Sequence, residues 1–342
     1  MKNKAIFLCE NKDSINRVYT SNTEIMQKLT SELEFPAEII DLKNIKQFKD
    51  YTNECKYIFS TWGMIALNES DIKKYLSKCE VIFYGAGSVQ YFAKKYLEHG
   101  IKISSAWVEN GVPVAEFTVS QILLACKGYF KIAGKVKKPG DWWSMNRING
   151  ANYKGNYNTR IGIIGAGTIG KRVISYLKIL GVKTEILIYD PYFTEKQAQE
   201  SGVKKASSLE EIFRTCDVIS NHCPNLPSTV GMINGNHFNL MRDYSTFINT
   251  GRGAQVAESD MINALKNNKT LTALLDVTEP EPPETDSELY NLENVILTPH
   301  IAGVTGNELH RLSDCMYGEY KLYESEKKLN YEVTPEMLEY MA

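Results

Sequence analysis

The chain has 342 residues, 43% hydrophobic and 23% charged, enough apolar surface for about two cores and a composition unlike that of a disordered polymer. Its 39 basic and 41 acidic side chains give a formal net charge of −2, which weighs against a general nucleic-acid binder. No run of about 18 apolar residues occurs, and the short apolar run after MKNK is closed by Glu10 and Asp13, so neither a membrane span nor a signal peptide is expected. The seven cysteines are scattered and form no CxxC pair. That pattern reads as reduced thiols in a cytoplasmic protein, without disulfides or a metal site.

Along the chain, short β-branched or aromatic runs alternate with amphipathic stretches. KAIFLC, AEIID, YIFST, VIFYG and IKISS read as strands up to residue 105, with EIMQKLTSEL and DIKKYLSKC as helices between them. Such alternation implies a parallel sheet with helices on both faces. Residues 112–130 read as one long apolar-rich helix. The polar stretch from Lys135 to Tyr157, which holds Trp142 and Trp143, reads as an extended loop that could wrap a second subunit. A second alternating series follows, with strands at TRIGIIG, EILIYD, DVISNH, STFINT, TALLDV and NVILTP. After His300 the pattern turns helical again and returns toward the first unit. The expected architecture is α/β: two doubly wound parallel-sheet domains, the second inserted into the first, with a cleft between them.

Residues 165–170 read GAGTIG, after the strand RIGIIG and before a helix-like TIGKRVISYLKIL. In that setting Gly165 permits the tight turn, Gly167 lets backbone approach a pyrophosphate, and Gly170 lets helix and strand pack closely. The helix N-terminus then faces the negative charge. Asp190 ends the next strand, twenty residues beyond Gly170, where an acid bonds the ribose hydroxyls and repels a 2′-phosphate. The expected cofactor is NAD rather than NADP. The inserted unit is thus expected to be a Rossmann NAD-binding domain.

Three reactive side chains follow strands of this second series: Arg252 after STFINT, Glu281 after TALLDV and His300 after NVILTP. Ligands of open parallel sheets bind at the carboxyl ends of the strands, so the three are expected to converge. An Arg can hold a carboxylate through two parallel hydrogen bonds. A His can give or take a hydroxyl proton, and a Glu on its other ring nitrogen fixes the tautomer and stabilises the imidazolium.

With VAE at 114–116, GIIGAGTIG at 162–170, HCPNLPST at 222–229, INTGRG at 248–253, LDVTEPEP at 275–282 and PHIAG at 299–303, the chain resembles the D-isomer-specific 2-hydroxyacid dehydrogenase family, and its LDVTEPEP form is most like glycerate and hydroxypyruvate-reducing members. The resemblance puts the family's catalytic Arg, acid and His on Arg252, Glu281 and His300. It implies cofactor contacts at Thr168, Ile169, Asp190, Cys223, Pro224, Thr229, Thr250, Gly251, Arg252, Asp276, His300 and Gly303, beside the three glycines. It implies a flavodoxin-like substrate domain over residues 1–107 and 304–342 around an NAD-binding domain over 108–303. It also implies a substrate-carboxylate loop at GAGSVQ, with Gly87 and Ser88 binding and Ala86 adjoining the nicotinamide. There Val89, Gln90 and Tyr91 stand where the family usually has Asn or Asp.

The reaction so implied is interconversion of a 2-keto acid and a D-2-hydroxy acid, in a homodimer without nucleic-acid or membrane partners. The loop TWGMIAL, which the resemblance puts on the substrate side, offers Trp62 and Met64 but no Lys or Arg, so an unphosphorylated substrate is expected. Trp62 could instead plug the core. Two other activities occur on this scaffold, an NAD-sensing corepressor and formate or phosphite oxidation. The formate enzymes pair the His with Gln, where this chain has Glu281.

Overall fold

The computed structural model describes residues 2–341. The chain divides into two compact units, Met1–Gly111 with Val304–Ala342, and Val112–Gly303. No helix among the described residues is long and apolar enough to cross a membrane.

The first unit is built on a six-stranded sheet. Its strands are β1 (Asn3–Phe7), β2 (Leu33–Glu34), β3 (Cys55–Ser60), β4 (Val81–Tyr84), β5 (Lys102–Ser105) and β13 (Glu332–Val333), in the order β13-β5-β4-β3-β1-β2. All neighbours pair in parallel except β13, which runs antiparallel along β5. Without that edge strand the order is the 2-1-3-4-5 of flavodoxin-like folds. Period-two alternation sends successive residues to opposite cores: Ile6 and Leu8 enter one cluster, Ala5 and Phe7 the other. The second face is aromatic, with Phe59 and Phe83 stacked at 5.1 Å and Tyr320 edge-on to both. Tyr320 comes from the helix His310–Glu324, whose apolar stripe of Leu312, Met316 and Tyr320 returns the chain to this sheet. The run AEIID forms no strand. Only Ile40 makes an isolated bridge, to Leu8, because Pro36 and the turn at Asp41–Asn44 leave no extended run beside β1.

The second unit holds a seven-stranded, all-parallel sheet. Its strands are β6 (Tyr157–Ile164), β7 (Lys183–Tyr189), β8 (Lys204–Lys205), β9 (Val218–Asn221), β10 (Thr246–Asn249), β11 (Thr272–Leu275) and β12 (Val295–Leu297), in the order β12-β11-β10-β9-β6-β7-β8. Reading outward from β8 gives 3-2-1-4-5-6-7, the dinucleotide-binding order with one added strand. The order reverses between β6 and β9, which marks the crevice where such sheets bind ligands. Both faces are covered: Phe247, Ala273 and Leu275 point into one core, Ile248 and Leu274 into the other.

The long apolar helix spans Trp107–Cys126, with Pro113 inside it, and a separate turn follows at Tyr129–Ile132. The polar stretch expected to be an extended loop instead contains a fourteen-residue helix, Pro139–Asn152. Its start is organised by Asp141, whose carboxylate accepts the backbone N–H groups of Lys137 and Lys138 at 3.0 and 3.1 Å, with Pro139 at the first position. None of its side chains is buried. Its composition carries no apolar stripe, which is why periodicity did not reveal it.

Candidate active site

The turn after β6 is shaped by its glycines. Gly165 has φ +95°, and a Cβ there would sit 2.8 Å from the His222 carbonyl, so conformation and space both require glycine. A Cβ on Gly170 would meet the Gly165 oxygen at 2.1 Å, the close packing of helix on turn. Over Gly167, by contrast, nothing lies within 4 Å of where a Cβ would stand. The helix Thr168–Ile179 starts there, with the unpaired N–H groups of its first turn. This turn is an open cradle for a pyrophosphate, and it fits NAD.

Asp190, just beyond β7, accepts the Ala166 N–H at 2.7 Å and the Tyr192 N–H at 2.8 Å. The carboxylate therefore pins the glycine turn as well as ending the strand, and each oxygen keeps a lone pair for a further donor. Cys223, half-buried near this carboxylate, has its thiol pushed up to about 12, mainly by burial and further by Asp190. His222 is buried with its ring against the Ser220 hydroxyl at 2.9 Å, and burial pushes its pKa down to about 3, so it stays neutral. The Thr229 hydroxyl is taken up by its own loop, donating toward the Pro224 and Leu226 carbonyls and accepting the Leu226 N–H.

His300 and Glu281 meet. Nδ1 of His300 lies 2.6 Å from Glu281 Oε1, and the two side chains are 47% and 42% exposed, so a ligand can reach them. His300 has φ +53°, a left-handed conformation that costs a non-glycine residue about 1–3 kcal/mol. Asp276, 3% exposed, supports that turn. Its carboxylate accepts the Thr298 hydroxyl at 2.5 Å and the N–H groups of Ile301 and Ala302 at 2.9 Å each. The His300 N–H donates to the Asp276 and Thr298 carbonyls. Asp276, expected only beside the carboxamide, thus builds the turn that presents the histidine. Gly303 closes the same turn, partly buried.

Arg252 follows β10. Burial pushes its guanidinium below the ordinary arginine value, and the nearby Glu281 carboxylate raises it again. Arg252 thus lies near enough to feel the charge of Glu281, which itself meets His300; the Arg252 guanidinium donates to the Gly251 carbonyl at 2.7 Å. Thr250, buried, meets the Thr118 hydroxyl at 3.1 Å. Sequence reasoning missed the side chains that hold this loop. Asn221, Asn249 and Gln255 are 0–1% exposed and hydrogen-bonded to one another. The signal for Asn221 and Asn249 was a polar residue ending the apolar runs VISN and TFIN; Gln255, in GRGAQV, carried none.

In the first unit, the turn after β4 carries Ala86, Gly87 and Ser88. Ser105 on β5 donates to the Ala86 and Gly87 carbonyls, at 2.8 Å each. The N–H groups of Gly87 and Ser88 have no partner among the described residues. A pair of free backbone donors in a fixed turn suits a carboxylate. The Asn110 amide lies 3.4 Å from where a Gly87 Cβ would be, a neighbour that sequence reasoning also missed. The unusual residues that follow have structural work. Val89 is buried, and Gln90 donates to the Leu338 and Met341 carbonyls at 2.7 and 2.6 Å, tying the turn to the C-terminal segment. Trp62 is 39% exposed while Met64 is buried, so methionine, not tryptophan, plugs the core from that loop.

Residues 119–302 match the family model for the D-isomer specific 2-hydroxyacid dehydrogenase, NAD binding domain. The chain is 31% identical over 236 residues to a putative 2-hydroxyacid dehydrogenase, YoaD, of Bacillus subtilis, covering 68% of this chain and 67% of that protein. It is 32% identical over 222 residues to a D-3-phosphoglycerate dehydrogenase of Methanocaldococcus jannaschii, covering 65% of this chain but only 41% of the relative's length. In fold it is similar to the apo D-mandelate dehydrogenase of Rhodotorula graminis, with a TM-score of 0.79, 20% identity and 98% of each chain covered. The glycine cradle, the strand order and the matched residues agree: the chain belongs to the D-isomer-specific 2-hydroxyacid dehydrogenases, a family of NAD-dependent oxidoreductases.

Proposed function

We propose that the protein reduces an unphosphorylated 2-keto acid to the D-2-hydroxy acid with NADH, and that the first unit binds the acid while the second binds the cofactor. The observation that carries this reading is the 2.6 Å contact between His300 Nδ1 and Glu281 Oε1 at the carboxyl end of a dinucleotide-binding sheet. Glu281 holds the ring in the tautomer with its proton on Nδ1, which leaves Nε2 as the nitrogen facing a substrate. His300 then gives the Nε2 proton to the carbonyl oxygen as it becomes a hydroxyl, and Glu281 stabilises the imidazolium before transfer. Bound NADH supplies the hydride for the carbonyl carbon. In the second unit Arg252 binds the carboxylate through its guanidinium. In the first unit the N–H groups of Gly87 and Ser88, without a partner among the described residues, are donors that suit a carboxylate.

Gly165, Gly167, Thr168, Ile169 and Gly170 would hold the pyrophosphate of a bound cofactor, and Asp190 its ribose hydroxyls. Cys223, Pro224 and Thr229 would line its adenosine side, and Thr250, Gly251, Asp276 and Gly303 its nicotinamide side. On the substrate side, Ala86 backs the turn and Trp62 offers an apolar face. The TWGMIAL loop carries no basic side chain that would meet a phosphate. Hydroxypyruvate, glyoxylate or a larger relative fits. The protein works as a cytoplasmic homodimer, a reading supported by seven free cysteines and by the exposed Trp142 and Trp143.

The test is NADH oxidation with a panel of 2-keto acids, phosphohydroxypyruvate included, on wild type and His300→Gln. Turnover of unphosphorylated acids that falls by about 100-fold or more in the variant supports the reading. A preference for the phosphorylated acid, or no turnover of any, overturns it.

A further inference from the structure

Three buried amides sit under the loop that carries Arg252, and nothing so far uses them. Gln255 makes all four hydrogen bonds its side chain allows. Its Nε2 donates to the carbonyls of Cys223 and Pro224, at 2.5 and 2.9 Å. Its Oε1 accepts from Asn221 Nδ2 at 2.5 Å and from the Arg252 N–H at 3.2 Å. The amide has one orientation only, because two carbonyls face its nitrogen and two N–H groups face its oxygen. Asn249 holds the other end of the same residue, donating from Nδ2 to the Arg252 carbonyl at 3.0 Å and accepting the Gly251 N–H at 3.1 Å. Asn221 closes the network, donating to Asn249 Oδ1 at 3.1 Å and accepting the Cys223 N–H at 3.2 Å.

The backbone N–H and carbonyl of Arg252 are therefore both held by side chains, Gln255 three residues after it and Asn249 three residues before it. The same network grips the loop at Cys223–Pro224, which follows β9. Apolar residues at the ends of β9 and β10 would fill the space, but could not set a loop's position by directional bonds. We propose that Gln255, with Asn221 and Asn249, is a positioning residue that sets Arg252 for the substrate carboxylate and locks that setting to the loop at Cys223–Pro224. This rests on the reading of Arg252 as the carboxylate ligand. A displacement of even 1 Å at such a group costs about 100-fold in rate.

The experiment is a double-substitution cycle on the full chain, with hydroxypyruvate and NADH as probes. Gln255→Met keeps the side chain's length and removes all four bonds. In the wild-type background it lowers kcat/KM for the keto acid by at least 10-fold, chiefly through KM. In an Arg252→Lys background, itself about 100-fold down, the same change has less than a 2-fold effect, because the group it positions is already gone. Equal losses in both backgrounds, or no loss in the first, overturn the proposal. If Gln255→Met does not fold, as judged by thermal unfolding, Asn249→Asp enters the same cycle. It keeps the acceptor for Gly251 and loses the donor to the Arg252 carbonyl. An Arg252→Lys variant with unchanged kcat/KM refutes the carboxylate reading itself. Equal losses in both backgrounds refute only the network.

Discussion

Replacing Asp276 by Asn exchanges one heavy atom and should disable the turn that presents His300. In the wild type one oxygen accepts the Thr298 hydroxyl and the Ile301 N–H, and the other accepts the Ala302 N–H, all at 2.5–2.9 Å in a residue 3% exposed. Asparagine has one acceptor oxygen. If that oxygen keeps the Thr298 and Ile301 bonds, its NH2 group faces the Ala302 N–H, donor against donor. An unsatisfied buried donor costs about 1–3 kcal/mol. The two surviving bonds fall from charge-assisted strength toward that of neutral ones, about 1 kcal/mol less each. The sum is about 3–5 kcal/mol. Spread over the second unit, that lowers Tm by roughly 6–20 °C. His300 is already in a left-handed conformation that the hydrogen bonds of its turn help to hold, so this turn should relax first. Activity should therefore fall by 100-fold or more at temperatures where the rest of the chain stays folded. Thermal unfolding read beside NADH oxidation gives both numbers. A variant within about 1 kcal/mol of wild type and with unchanged kcat refutes the assignment of Asp276 as the support of His300.

Other outcomes follow from single groups. Asp190→Asn removes the charge that would repel a 2′-phosphate while keeping an acceptor for the glycine turn, so kcat/KM with NADPH relative to NADH should rise tenfold or more; an unchanged ratio would show that Asp190 does not set the preference. His222 has its folded pKa near 3, below the ordinary 6.5, so only the unfolded chain takes up a proton as pH falls from 6.5 toward 3. Stability is then full above pH 6.5 and is lost downward through that window by up to about 1.4 kcal/mol per pH unit, and His222→Gln should flatten the slope; parallel Tm profiles over pH 4–7 would argue that His222 is already charged in the native protein. Trp142 and Trp143 are 60% and 68% exposed on a helix without a buried side. Trp142→Ser with Trp143→Ser should weaken a dimer by about 3–5 kcal/mol, over a hundredfold in Kd, and sedimentation of the wild type as a monomer at micromolar concentration would dispose of the dimer.

Most of the architecture was legible because local rules and the fold agree. Runs such as AIFL and IGIIG alternate between two cores, a pattern only a strand buried on both faces satisfies. GAGTIG was legible because the φ of +95° at Gly165 and the 2.1 Å approach at Gly170 leave no other residue type. Arg252, Glu281 and His300 each follow a strand, so parallel pairing alone delivers them to one end of the sheet. The helix Pro139–Asn152 escaped because it buries no face and so leaves no period in the sequence. AEIID misled because its residues favour extension, yet a strand also needs an edge to pair with, and only Ile40 finds one.

The site divides along the same line. The chain order of the reactive side chains and the glycine turn is written in sequence-local chemistry. What ties their loops to the rest of the sheet is not: Asp276 reaches 25 and 26 residues ahead to Ile301 and Ala302, and Gln255 reaches back 32 and 31 residues to Cys223 and Pro224. A buried carboxylate or amide finds its partners only when distant strands are laid side by side, so its role is decided by tertiary structure. The sequence by itself determined which groups can react, and the packed sheet decided which groups keep them in place.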